Sequence, residues 1–469
     1  MLSPLLILLS LVLLTAHTLR RTLTSPLNKI PGPWHAKFTS LVLKWHEFRT
    51  NRTRYIHDLH LKYGPAVRIA PHEVVFASAA AVKEIYCSGG SGYDKTEFYD
   101  MFKVYGRRTM FTTLNKDDHA KRKRILADRY ANTNIVRPPS LDGIAERASN
   151  FVKRCLHSYA FDCVTHHLFH PHGTDSLLSS KDEEIMLEVT FDDSLQNRLF
   201  QYYWPTAHKI FGKILYLFAK PRETPLADNF VLDTCAQTDP SPFTLLNRLQ
   251  GPNFHLDKLD IAAECLDHMA AGIDTTGDAL CFLMWELSQP SSIHYQRKLQ
   301  AELLAHPASS FDKLRYLDAV VMEGLRCFPA IPMSLPRYVP PGGRTIDGFF
   351  LPQGTTVSCQ AYSVQRIDRS VFPDPDAFWP ERWLENKGDA ERKRLFFAFA
   401  NGGRGCVGKH LALAEMKTLL QAVYSRFTTL PDATMTPRDM EMSDQLISSR
   451  PEGQKCLLRF VPMEAAAGK

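Results

Sequence analysis

The sequence predicts a mostly helical α+β protein. One large domain is built round a long central helix, with small β-sheets beside it and an N-terminal transmembrane anchor. Three observations lead there. Leu256 to Ser288 is an unbroken helical stretch, apolar on most sides, with Pro290 just beyond it. Residues 140–250 carry helical apolar stretches and no recognisable catalytic motif. Alternating, turn-rich segments are few and short, enough for small sheets only.

Composition sets the limits. The chain has 469 residues, 44% of them hydrophobic, which allows a large core and excludes global disorder. A net charge of +6 is modest for that length. It fits a basic patch and argues against a nucleic-acid partner. The 10 cysteines are scattered with no C-x-x-C pair, which argues against zinc ribbons and thioredoxin chemistry. Their scatter fits a reducing compartment with mostly inert, buried thiols. No internal repeat is visible.

At the N-terminus, Leu2 to Leu19 is apolar and Arg20, Arg21 and Lys29 follow it. A secretory signal carries its positive charge ahead of the apolar run. Charge behind the run predicts a retained anchor with the body of the protein in the cytosol. Pro26-Leu27-Asn28-Lys29-Ile30-Pro31-Gly32-Pro33-Trp34 reads as a stiff spacer. The expected organisation is an anchor over 1–20, a proline-rich linker over 21–35 and a catalytic domain over 36–469.

Ala66–Ala70 and Glu73–Phe76 flank Pro71-His72 and read as a hairpin. Tyr93 to Thr113 is aromatic and irregular, a pocket-lining loop. His119 to Leu126 is basic and helical, the usual pattern of a solvated face. Within the long helix, Ala271-Gly272-Ile273-Asp274-Thr275-Thr276 places glycine, an acid and two hydroxyls where packing alone would choose apolar residues. Glycine there admits a kink or a close ligand, and threonine can bond back to the preceding turn. Such a groove can bind oxygen and move protons, or it can be a local bend. Glu323 and Arg326 are helical neighbours. That pair has weight only if buried and completed by a third group such as Arg382. Arg344 to Val357 alternates and turns at glycines, as small-sheet strands do. Lys455 to Phe460 reads as one more strand.

Phe399 to Gly408 (F-A-N-G-G-R-G-C-V-G) puts one cysteine in a glycine-rich turn between an apolar run and a helical stretch. Backbone N–H groups round Cys406 would suit a metal-bound thiolate, with Arg404 ready for a carboxylate. A buried inert cysteine is the plain alternative. A second is a dinucleotide fingerprint, since Gly403, Gly405 and Gly408 spell G-x-G-x-x-G with Asp432 downstream.

Taken in order, A-G-x-D-T-T at 271–276, E-x-x-R at 323–326, P-E-R-W at 380–383 and F-x-x-G-x-R-x-C-x-G at 399–408 resemble the cytochrome P-450 superfamily. The resemblance is to microsomal haem-thiolate monooxygenases, and within them to fungal members that tailor secondary metabolites. It implies the triangular fold of that superfamily, with the long helix over the haem. It implies Cys406 as the axial thiolate of heme b, Phe399 packed beside the sulfur, and Arg404 and Arg337 on the propionates. Thr275 and Asp274 become the oxygen-activation pair, and Glu323, Arg326 and Arg382 a structural triad. On the basic helix, His119 and Lys123 stand where many members have Trp and Arg, and are expected as haem contacts. Lysine there loses the bidentate fork of arginine. The dinucleotide alternative loses ground, because no βαβ series precedes the fingerprint.

The implied activity is oxidation of a lipophilic small molecule with O₂ and electrons from NADPH through a reductase. Cytochrome b5 is a second implied partner, and the endoplasmic reticulum membrane the implied location. Lys121, Arg122, Arg392, Lys393, Arg394 and Lys409 are expected to face the acidic reductase. The pocket is expected from Tyr93–Thr113, Ala270–Thr275, Ile331–Pro336 and Leu446–Ser449. The alternatives are a haem-thiolate isomerase or dehydratase needing no O₂, and an NAD(P)-dependent dehydrogenase.

Overall fold

The computed structural model describes residues 4–87, 92–151, 155–191, 194–220 and 225–463. Helix α1 (Pro4–Thr24) opens the chain. Its Leu8, Leu9, Val12, Leu13 and Leu19 are exposed. No helix among the described residues is long and apolar enough to cross a membrane. The expected transmembrane anchor is therefore not supported. Ser10, Thr15, His17 and Thr18 dilute the leucine run, and the same helix continues through Arg20 and Arg21. Leu2 and Ser3, where the run begins, lie outside the described residues.

The proline-rich segment is docked and is not a free spacer. Leu27 and Ile30 are buried. The Arg68 backbone N–H donates to Pro31 O (2.8 Å) and its guanidinium to Asn28 Oδ1 (2.8 Å). Gly32 is needed there, because a Cβ would sit 2.4 Å from Arg68 O.

Arg68 belongs to β1 (Ala66–Ala70), which pairs antiparallel with β2 (Glu73–Phe76) as the expected hairpin. Strand β3 (Asp94–Lys95) follows, then β4 (Arg337–Tyr338). The separate hairpin β5–β6 (Arg344–Ile346 and Phe349–Leu351) comes next, then β7 (Thr356–Cys359). The main sheet has the order β1-β2-β7-β4-β3. Only β2–β7 is a parallel pair in it. The alternation read between Arg344 and Val357 is thus divided between two sheets.

Five helices position the site: α2 (Lys116–Leu126), α3 (Leu156–Phe169), α4 (Lys258–Ser288), α5 (Arg315–Cys327) and α6 (Lys409–Tyr424). Helix α4 has 31 residues and is about 47 Å long at ~1.5 Å per residue. Asp257 caps its start by accepting from Asp260 N (2.7 Å), and it ends before Pro290. The helix runs unbroken through Gly272. A Cβ at 272 would lie 2.7 Å from Val164 Cγ2, so the glycine lets α3 and α4 approach closely. Helix α3 is correspondingly buried from Ser158 to Phe169.

Glu323 on α5 is fully buried and ties α5 to the 3₁₀ turn Pro380–Trp383. Its two oxygens accept from Arg326, Arg382, Trp383 and the Trp379 N–H, so the expected triad is formed. After α6, β8 (Phe427–Pro431) pairs with a C-terminal strand, and the hairpin β9–β10 (Met442–Asp444 and Ser449–Pro451) holds Leu446 in its connection. The C-terminal strand is β11 (Leu458–Pro462). It starts later than the expected segment because its register is set by Phe427–Pro431.

Candidate haem-thiolate site

The cysteine turn is made by backbone geometry. Gly402 adopts φ +70, and a Cβ there would lie 2.0 Å from Tyr86 O. No other residue fits. Ala400 also takes a left-handed φ of 51. Gly405 N donates to Gly402 O (3.0 Å) and Cys406 N to Phe399 O (2.9 Å), closing the loop on itself. The apolar run ahead of it, Leu395–Ala398, is not a strand, and α6 starts directly after Gly408. The strand–turn–helix context of a dinucleotide site is therefore missing.

Cys406 opens onto a cavity of about 420 Å³. Burial pushes its thiol up. The N–H groups of Gly408 and Lys409 and the Lys123 ammonium pull it back toward the thiolate. The Lys123 Nζ donates to Gly403 O and Gly405 O, both at 3.0 Å. Lys123 thus braces the cysteine turn from α2 and does not line the cavity. His119, one helical turn earlier, is buried and does line it. The reading of α2 as a solvated face fails at this position.

The basic side chains Lys95, His119, Arg337 and Arg404 all line the cavity. Burial, then Lys95 and Arg404, push His119 down to about 3. Burial, then Arg337, lower Arg404 to about 10. Lys95 is driven well below its ordinary value by burial, then by Arg337 and Arg404. Arg337 Nη1 donates to Tyr99 Oη (2.7 Å), but Arg404 Nε and Nη1 are buried with no partner. Buried cations with orphaned donors call for an anionic ligand. A dianionic haem held by Cys406, with its carboxylates on these basic side chains, would meet that need, so the residues fit haem. Lys95 had no signal in the sequence, being one lysine in Tyr-Asp-Lys-Thr.

Ala271 and Thr275 of α4 also line the cavity, and Thr275 Oγ1 donates to Ala271 O (2.7 Å). Asp274 Oδ2 pairs with Arg450 (2.7 Å), while Oδ1 is buried without a partner. Burial raises the Asp274 carboxyl and Arg450 opposes that rise. Arg450 was not foreseen, and neither was Asp267, a cavity-lining carboxyl that burial pushes up to about 6. Tyr99, Phe102, Phe111, Ile331, Leu335, Leu446 and Ile447 line the cavity from the expected segments, while Tyr130, Val164, Val189 and Leu195 line it from segments not expected to.

The family model for cytochrome P450 matches residues 191–457. The chain belongs to the cytochrome P450 family. This P450 is 30% identical to cytochrome P450 monooxygenase tazI of Aspergillus terreus, over 96% of each chain. It is 29% identical to monooxygenase stcB of Emericella nidulans, over 94% of this chain and 90% of that one. It is 28% identical to monooxygenase aflV of Aspergillus parasiticus, over 93% and 92%. The P450 is thus an oxygenase enzyme, and its family implies haem iron held by a thiolate. Among the described residues, Cys406 is the one cysteine that lines the cavity. Phe399 lines the cavity and accepts the Cys406 N–H through its carbonyl.

Proposed function

We propose that this P450 inserts one atom of O₂ into a lipophilic small molecule, as a tailoring step in fungal secondary-metabolite biosynthesis. Electrons come from NADPH through a separate flavoprotein reductase. One observation carries the reading: a single cavity is lined by Cys406 and by Thr275 with Asp274. Its volume lies in the ~300–1,000 Å³ range of small-molecule sites. When bound, haem supplies the oxygen activation, favoured by electron density from the thiolate. The chain's own residues do the rest. Phe102, Met110, Phe111, Val189, Leu195 and Leu446 hold an apolar substrate and exclude water. The Thr275 hydroxyl gives its one proton to Ala271 O and turns its lone pairs to the cavity. It therefore accepts a proton there before it can release one. Asp274, paired with Arg450, is the neighbouring proton carrier.

The reductase reading rests on exposed charge. Lys121, Lys393, Arg394 and Lys409 are exposed. Arg122 and Arg392 are not part of such a face: Arg122 turns in to Glu264 (3.2 Å), and buried Arg392 donates to Glu385 O and Lys387 O. Cytochrome b5 belongs to the same proposal, as does a place at the cytosolic side of the endoplasmic reticulum. The exposed leucines of α1 support that placement, and cell fractionation tests it.

The reduced, CO-bound absorption spectrum tests the proposal. A thiolate-ligated haem shifts the Soret band far to the red of a histidine-ligated one, and Cys406→Ala should remove that shift and the bound haem. Product formation requiring both O₂ and NADPH is the second arm. Turnover without O₂ would place the protein with the isomerases and dehydratases.

A further inference from the structure

Away from the cysteine turn, an imidazole and two carboxylates meet where the start of α3 crosses the middle of α4. Asp274 and Asp278 sit one helical turn apart on α4, and His157 comes from the first turn of α3. A ring nitrogen of His157 and one oxygen from each carboxylate lie within 4.8 Å of one another. His157 Nε2 and Asp278 Oδ1 are 3.2 Å apart. The seat for the ring is built into the backbone. A Cβ on Gly277 would lie 2.7 Å from His157 Cδ2, so the ring rests against a helix with no side chain there.

Hydrogen bonding leaves this cluster unfinished. Asp278 is 2% exposed, yet its Oδ2 has no hydrogen-bond partner. Asp274 Oδ1 is likewise buried without one. Like charges four residues apart on a helix repel, and burial makes unpaired oxygens costly. Arg450 from β10 answers only in part. It donates to Asp274 Oδ2 at 2.7 Å but stands 3.8 Å from Asp278 Oδ2. The groups on the cluster are thus one imidazole, two carboxylates and one guanidinium, with Cys281 and Cys155 as the neighbouring thiols.

One imidazole and two carboxylates are a zinc donor set, and the imidazole disfavours magnesium and calcium, which take oxygen ligands. Two ligands on a tetrahedral zinc stand ~3.4 Å apart at bonds of ~2.0–2.1 Å. The His157–Asp278 pair already has nearly that spacing. Asp274, at 4.8 Å or less, has about 1.4 Å to close by rotation of its side chain. Arg450 on Asp274 Oδ2 leaves Oδ1 for the metal and orients the carboxylate, as outer-shell partners do.

We propose that His157, Asp274 and Asp278 form a zinc site, with water in the fourth position. Zinc enters by displacing a proton. Burial lowers the His157 imidazole, but Asp278 leads the groups that outweigh burial and raise it to about 10, so the ring carries that proton at neutral pH. Bound zinc takes up Asp274, which lines the cavity, and so holds it out of proton transfer. That consequence rests on the oxygenase reading; the site itself does not.

The test uses the full, haem-loaded chain and reads metal, not turnover. Equilibrium dialysis against buffered, micromolar free zinc should leave one more zinc on the parent chain than on Asp278→Asn or His157→Gln. Each variant should bind at that site at least about a hundredfold more weakly. Zinc should raise the melting temperature of the parent and not of the variants. Unchanged haem content reports that a variant is intact; should one variant lose its haem, the other and the proton count decide. Calorimetry in buffers of different ionisation heat should count about one proton released per zinc at neutral pH. Affinity should rise about tenfold per pH step of one below the His157 value. Cys155→Ser should keep the site, and excess Mg²⁺ should not empty it. Parent protein that takes up no zinc overturns the proposal. So does uptake that an intact Asp278→Asn or His157→Gln variant retains in full, or uptake that Cys155→Ser removes, which marks a thiol site instead.

Discussion

Replacing Glu323 by glutamine should destabilise the protein from the inside, beside the cysteine turn. The carboxylate is fully buried and accepts five hydrogen bonds from nitrogen donors. Oε1 takes Arg326 Nη2 at 2.9 Å, the Trp379 N–H at 2.9 Å and Arg382 Nε at 3.1 Å. Oε2 takes Arg326 Nε at 2.8 Å and Trp383 Nε1 at 2.9 Å. Glutamine keeps one acceptor, turns an NH₂ toward donors and leaves two buried guanidinium groups without their anion. Breaking a buried pair in this way costs ~3–5 kcal/mol. With 469 residues at ~2.1 cal/mol/K each, the unfolding entropy is about 1 kcal/mol/K. The melting temperature should therefore fall by roughly 4 °C, a small change for a large loss because the chain is long. The damage should also reach the cysteine. Gln365 Nε2 donates to Arg326 O (3.0 Å), and Gln365 Oε1 accepts the Phe397 N–H (2.9 Å), just ahead of the turn. Calorimetry reads the first effect and haem content after gel filtration the second. A melting temperature within about 1 °C of the parent, with full haem content, would refute the account of the network.

Three further outcomes follow from the same geometry. Lys95→Met should relieve one buried charge in the empty cavity but weaken the haem-loaded protein. Loss of one charge-assisted hydrogen bond, ~1.5–3 kcal/mol, means haem transfer to apomyoglobin about ten- to a hundredfold faster. Gly272→Ala should destabilise by ~1–3 kcal/mol through overpacking on Val164, and Val164→Ala should recover most of that loss in chemical denaturation. His60 and His167 are buried, and burial holds them at about 4 and about 3. Both values lie below the unfolded ~6.5, so the unfolded chain binds more protons in acid. Their contribution is complete above about pH 6.5 and is lost as pH falls toward 4 and then 3, each histidine costing up to ~1.4 kcal/mol per pH step of one. Denaturation midpoints from pH 7 to 4 should fall accordingly, and His167→Phe should flatten that slope.

What could be read from the chain divides by physical type. Features written by backbone conformation or by period were legible: the glycine turn at Cys406, the long helix, the Pro71 hairpin. The triad was legible as residues, but its meaning waited on burial, since Glu323 and Arg326 on a surface would signify almost nothing. Features made by residues distant in the chain left no local mark. Arg450 reaches Asp274 across 176 positions, and Lys123 reaches Gly405 across 282. Gly272 shows the same limit from the other side. Its motif pointed to a groove, and Gly272 does line the cavity, but its missing side chain also serves the contact with Val164. Ala271 and Thr275, one turn apart, share the groove face of α4 with it. A glycine signals that something comes close, and only the fold says what. At Gly402 it is the Tyr86 carbonyl, at Gly272 a neighbouring helix, and at Gly277 the ring of His157.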